Sequence, residues 1–437
     1  MPFPVTLSMM NRRAFLTRIG SVGLGAAGLL SIKACQYWPH EGMRNHCHPG
    51  GLPPHLRDHE LVKATWEGID GNQVWDCHAH LIGIGDSASG VWLNPNLQSL
   101  LHPVLYTQFK FYLDGSCAEK IGAATVDEGM VKRLRDLHQD LPPGFRFMLL
   151  AFDYAHDEHG TVVKKITPFH TPNAYALRTA KLHPAQFEWI ASIHPYRDDC
   201  VHALGIAIRN NARAVKWLPS VMGIDPSSKL CDRFYEALVT HNLPLLTHVG
   251  AEHAVDVPNG QVMNNPLLYR RALDMGVRII FAHCATLGES ADIDKGPNGP
   301  MVANLDLFAR LMSEHRYEKQ LYGDIAAITQ VNRDRDMIKK IVEHEEWHDR
   351  LIYGSDYPLP GVMPVFSPRN FVDWGYLPAK EAQLMSQIRH YNPILFDVML
   401  KRRITVNGHQ LSPRVFESRR IFLQQGDLSA DQLKQSI

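Results

Sequence analysis

Eight short apolar segments recur along the chain, each followed by sequence with helical periodicity, and this alternation limits the fold more than any other feature. The segments are Val74–Cys77, Phe147–Phe152, Phe187–Ile193, Ala212–Leu218, Pro244–Thr247, Arg278–Ala282, Leu321–Ile328 and Leu351–Gly354. Strands alternating with helices of this size read as parallel βα units. Eight such units over about 330 residues predict an α/β fold, a (β/α)8 TIM barrel with insertions. A doubly wound open sheet also fits the alternation. It does not explain why at least five of the strands end in polar residues.

Those ends carry the candidate chemistry. Val74-Trp75-Asp76-Cys77-His78-Ala79-His80 finishes an apolar run with two histidines one residue apart. Side chains of a strand alternate, so His78 and His80 share a face and can bite one cation. Lys216 lies in the fourth segment, and His248, His283 and Asp356 end the fifth, sixth and eighth. Each has a plain alternative: His248 alone reads as a satisfied core histidine, and Asp356 as a helix cap. Together, and in barrel order, they form one ring at the end of a barrel where catalytic groups gather.

Composition bounds the rest. The chain has 437 residues, 45% hydrophobic and 21% charged, with 45 basic and 45 acidic side chains. A balanced charge offers no field for nucleic acid, so a small-molecule substrate is expected. Residues 1–35 read as an export signal, with Arg12 and Arg13 followed by a glycine-rich apolar run of 14 residues, Ile19–Ile32. That run is too short to span a bilayer comfortably. It resembles a twin-arginine signal, which implies an exported, periplasmic protein. Cys35, after Ile32-Lys33-Ala34, makes a lipid anchor the alternative to plain cleavage. Residues 36–72 read as a Pro/Gly/His-rich lead-in, 73–400 as the barrel, and 401–437 as a C-terminal extension. The seven cysteines show no disulfide spacing. Arg44–Gly51, which contains Cys47, reads as flexible linker, and Cys77 and Cys284 as buried core thiols.

Five segments resemble the amidohydrolase superfamily of metal-dependent barrel hydrolases, and in particular its amidohydrolase-related branch. They are Asp76-Cys77-His78-Ala79-His80, Ala214-Val215-Lys216-Trp217, Leu246-Thr247-His248, Phe281-Ala282-His283-Cys284 and Gly354-Ser355-Asp356-Tyr357-Pro358. The closing Tyr391-Asn392-Pro393 resembles the family's last helix. The resemblance implies that His78, His80, His248 and Asp356 bind a divalent metal, zinc first and manganese as the alternative. It implies one or two ions. His283 would bind a second ion or orient water. Lys216 would bridge two ions as a carboxylated lysine, or act as a substrate-binding or supporting cation.

The expected reaction is hydrolysis of an amide, ester or lactone. A metal-activated water would attack, with Asp356 as general base and acid and His283 or the metal polarising the carbonyl. Asp324 and Asp76 are candidates to hold the far nitrogen of a ligand imidazole. His194, Glu252 and His253 are candidates for substrate contact. A metal-dependent decarboxylase is the second reading, and a barrel that kept its ligands but lost turnover is the third.

Overall fold

The computed structural model describes residues 41–252, 255 and 260–424. Arg12, Arg13, Cys35 and His253 lie outside the described residues. Eight parallel strands form the expected barrel: β1 Trp75–His80, β2 Arg146–Leu150, β3 Phe187–Ile190, β4 Val215–Trp217, β5 Leu245–Thr247, β6 Ile279–Phe281, β7 Leu321–Asp324 and β8 Leu351–Ile352. β1–β3 and β4–β8 each pair in sequence order. A parallel bridge between Ala191 and Val215 joins the two runs. β8 returns to β1 through the Cys77 N–H donating to the Tyr353 carbonyl (3.2 Å) and the Ala79–Tyr357 bridge, which closes the ring.

The main helices surround it: α1 Pro103–Ser116, α2 Val126–Leu137, α3 Asn173–Leu182, α4 Cys200–Arg209, α5 Asp232–Thr240, α6 Arg270–Asp274, α7 Asn304–Ser313, α8 Arg335–Glu343, α9 Ala379–Arg389 and α10 Pro393–Arg403. Their starts follow from local chemistry. Thr125 accepts the Glu128 N–H to open α2, the arrangement a Thr-x-x-Glu sequence favours. Asn392 accepts from the N–H groups of Ile394 and Leu395, with Pro393 in the first turn of α10, where a missing N–H costs nothing. α10 is buried from Pro393 to Lys401, so the run that resembles a family signature is also a core element.

β1 departs from a plain strand. Its register with β2 slips between Asp76 and Ala79, where β1 advances three residues and β2 two. This bulge reverses the alternation. Trp75 and Cys77 pack in the barrel interior, yet His78 and His80 also turn to its mouth instead of to the helices. Bulges commonly re-aim side chains beside active sites in this way. Opposite the bulge, a Cβ on Gly354 would lie 2.8 Å from the His78 Cβ, so only glycine lets β8 come this close.

The barrel interior is filled by Trp75, Met148, Leu150, Ile190, Leu246, Ile280 and Ile352. Ile421 and Phe422 complete this cluster, and the Trp75 N–H donates to Ser418 Oγ (3.1 Å). The extension after residue 400 is therefore part of the barrel, at least to 424. The reading of the cysteines also needs correction. Cys47 and Cys117 form a disulfide, 70 residues apart. Both are buried, and Asn45 Nδ2 donates to the Gly361 carbonyl (3.1 Å). The stretch read as a linker is thus clamped to the end of α1 and to the loop after β8. Cys77 and Cys284 are buried and free, as expected. No helix among the described residues is long and apolar enough to cross a membrane.

Candidate metal centre

The six expected side chains all come to the C-terminal mouth of the barrel, on the exits of β1, β4, β5, β6 and β8. Three form the tightest group. His80 Nε2 lies 3.1 Å from Asp356 Oδ1, and His78 Nε2 lies 3.5 Å from the same oxygen. Lys216 Nζ lies 3.1 Å from His78 Nε2. Two donors each about 2.1 Å from one ion sit about 3.0–3.4 Å apart, so these spacings suit a shared cation. His283 Nε2 is 4.0 Å from the other Asp356 oxygen, Oδ2. His248 stands one ring further out, with its centroid 5.2 Å from that of His283. His78, His80 and Asp356 therefore make one ligand-sized cluster, which His248 borders without joining.

What fixes these rings is the nitrogen facing away from the centre. Asp324 Oδ2 accepts from His78 Nδ1 at 2.9 Å. The Ala326 carbonyl accepts from His283 Nδ1 at 3.0 Å. Glu252 Oε2 lies 3.3 Å from His248 Nδ1. Each Nδ1 is thus held as the N–H, which leaves Nε2 as a lone pair. His248 Nε2 is buried with no hydrogen-bond partner. An orphaned buried lone pair in such company fits a metal-ligand role. Asp324 could itself be counted in a cluster with His78 and His283. Its oxygens already accept from His78 and from the N–H groups of His283 (2.7 Å) and Ala326 (3.0 Å), which ties the His78 ring and the backbone at His283 in place.

The electrostatics prepare the site for a cation. Burial lowers the pKa of every site imidazole, to about 3 for His248 and about 4 for His283, and favours their neutral forms. Burial also lowers Lys216, against the pull of Asp324 and Asp356. Burial would raise Asp324 and Asp356, but the histidines around them outweigh it. Asp324 is held at about 2 and Asp356 well below the usual range. Neutral nitrogens around ionised carboxylates are what a divalent ion requires. The backbone is strained at two of these residues: His283 has φ 57° and Asp356 φ 62°.

Several weighed residues find other places. Asp76 holds no imidazole. Its Oδ1 accepts the N–H groups of His78 (3.1 Å) and Ser355 (2.8 Å), which ties β1 to the turn before Asp356. His194 is buried, with Nε2 bonded to the Met222 carbonyl at 2.9 Å, a structural histidine. Glu252 supports His248. Two residues escaped the sequence reading. Tyr112 on α1 lies within electrostatic reach of Glu252 and Asp356. Arg333, in the loop after β7, acts on His248 and His283. Neither sits at a strand end, so the pattern that found the others had no hold on them.

The family model described as amidohydrolase matches residues 75–394. No curated protein matches the sequence. Among solved structures, an uncharacterised TIM-barrel protein of Bordetella bronchiseptica is 14% identical with a TM-score of 0.44, covering 75% of this chain and 99% of its own. A 5-carboxyvanillate decarboxylase of Novosphingobium aromaticivorans, complexed with manganese, is 13% identical with a TM-score of 0.41, covering 74% and 95%. A 4-oxalomesaconate hydratase of Rhodopseudomonas palustris is 14% identical with a TM-score of 0.38, covering 73% and 95%. With a family match running from the first barrel strand into the last helix, over well more than half its length, the chain belongs to the amidohydrolase family.

Proposed function

We propose that the chain is a metal-dependent hydrolase acting on an amide, ester or lactone. One observation carries the reading: His78 and His283, each tethered through Nδ1, turn Nε2 toward an ionised Asp356, which His80 Nε2 also meets at 3.1 Å. His78, His80 and Asp356 would hold the ion, zinc or manganese, with His248, His283 and Lys216 around it. A divalent ion there supplies Lewis acidity, which lowers the pKa of water toward neutrality. Asp356 takes the proton of the attacking water and returns it to the leaving group. The His283 Nδ1–H donates a hydrogen bond to the Ala326 carbonyl, so its Nε2 is free to accept one and orient water. A neutral His283 is thus no oxyanion donor, and a divalent ion held by His78, His80 and Asp356 would supply the polarisation of the carbonyl. Lys216 is buried beside His78, and carboxylation at Nζ would let it bridge two ions.

The test is metal content after expression with added zinc or manganese, together with turnover of a panel of esters and lactones. Asp356→Asn should lower kcat about 10²–10⁴-fold. A well-folded protein that takes up neither metal would end the reading. Decarboxylation stands as the second reading, favoured by a buried arginine at the same mouth. Release of carbon dioxide without uptake of solvent oxygen would select it.

We also infer export. A buried disulfide between Cys47 and Cys117 supports an oxidising compartment. Replacing Arg12 and Arg13 by lysine should leave the protein in the cytoplasm with both thiols reduced. A free thiol pair in the exported protein would contradict this.

A further inference from the structure

We propose that Arg333 anchors a carboxylate of the bound molecule, a group separate from the one that meets the metal. The residue is 7% exposed. Its guanidinium donates from Nε to Thr286 Oγ1 (3.1 Å) and from Nη1 to Asn332 Oδ1 (2.7 Å) and Gln330 Oε1 (3.3 Å). All three partners are neutral. Among the described residues no carboxylate pairs with it, and Nη2 has no partner.

Its position is set by the same contacts. Thr286 follows His283 by three residues and donates its N–H to the His283 carbonyl (3.0 Å). The guanidinium therefore hangs over the exit of β6, on the rim that carries the metal ligands. Asp356 and Glu252 act on it through space without pairing.

Other arginines show what a structural role demands. Arg389 is fully buried, and its three nitrogens donate to the carbonyls of Pro360, Met363, Phe366 and Val362. Arg310 pairs with Asp292 and Asp294. Of these three, only Arg333 leaves a terminal guanidinium nitrogen, Nη2, without a partner, and its charge cannot be shed. A buried cation without a counter-ion is costly, and so is a site that adds a metal beside it. A carboxylate on the ligand relieves both, through a charge-assisted bond to Nη2. The proposal rests on the metal-dependent reading only for where the second group of the ligand sits.

Zinc-loaded protein titrated with isophthalate and with benzoate tests it, with metal content measured on the same samples. Wild type should bind the dianion at least tenfold more tightly, about 1.4 kcal/mol. Arg333→Gln should erase that advantage with zinc unchanged, and should raise the Tm of the ligand-free protein, because an unpaired buried charge is gone. Arg333→Lys should keep part of the advantage; it decides the matter with wild type if the glutamine variant does not fold. Equal affinities in wild type, or a preference that survives in Arg333→Gln, would overturn the anchor. A wild type that binds no zinc would sink the hydrolase reading alone, and the same titrations without metal would still judge Arg333.

Discussion

Asp324 shapes the centre more than any residue able to touch a metal. One oxygen fixes the tautomer of His78, and the other accepts the N–H groups of His283 and Ala326, so a single carboxylate sets both the ring of one histidine and the strained backbone of another. Asp324→Asn replaces an acceptor-only group with one that offers donors to His78. Metal affinity should fall about 10–100-fold, as outer partners of ligand histidines commonly show. Competition with a chromophoric chelator measures it, and unchanged affinity would make the bond incidental. The sequence revealed the inner residues because strand ends advertise themselves: His78, His80, Lys216, His248, His283 and Asp356 each close or occupy an apolar run. It did not reveal what holds them. Asp324 could be weighed but not chosen over Asp76, since which carboxylate reaches an imidazole depends on strand packing. Arg333 and Tyr112 reach the mouth from a loop and a helix, where no periodicity points.

Among the elements, β1 and the C-terminal segment differ most from their sequence expectation. The alternation rule paired His78 with His80 correctly, but only the bulge explains why they share the interior with Trp75 and Cys77. A bulge has no residue code as strong as the alternation it interrupts. The C-terminal extension gives no sign in the sequence of packing on the barrel, because its anchors, Ile421 and Phe422, belong to no periodic run. Their partners are barrel residues more than 60 positions away, from Trp75 to Ile352. Phe422 is 1% exposed. Phe422→Ala should cost about 3–5 kcal/mol of stability by leaving a cavity against the barrel core. Urea unfolding reads the loss, and the folded fraction should keep its metal content, because the cavity opens at the end of the barrel opposite the centre. A cost below about 1 kcal/mol would mean the segment only leans on the barrel. The Cys47–Cys117 pair was hidden for a related reason: a partner 70 residues distant at the end of a helix leaves no spacing pattern.

At the scale of the whole molecule the buried histidines make stability depend on pH. Burial holds His194 and His248 at about 3 and His283 and His390 at about 4, and also lowers His78 and His80. In the unfolded chain these rings titrate near 6.5. As pH falls from about 6.5 toward 4, the unfolded chain takes up protons that the folded one refuses. Their contribution to stability is thus complete above about 6.5 and is lost on acidification. Asp76 and Asp397 work against this. Burial raises both to about 6, so the folded state keeps protons that the unfolded chain releases above about 4, and their contribution falls as pH rises through 6. Six imidazoles outweigh two carboxyls, and the net slope should favour neutral pH. The metal-free protein should therefore melt at a lower temperature at pH 5 than at pH 7.5, with most of the fall below pH 6.5. Protons compete with a metal for the same lone pairs, so metal should leave over the same range. Thermal melts of chelator-treated protein across that range read the slope directly. A Tm that stays level or climbs toward pH 5 would mean the rings are charged in the folded state, and a site of charged imidazoles could not receive a cation.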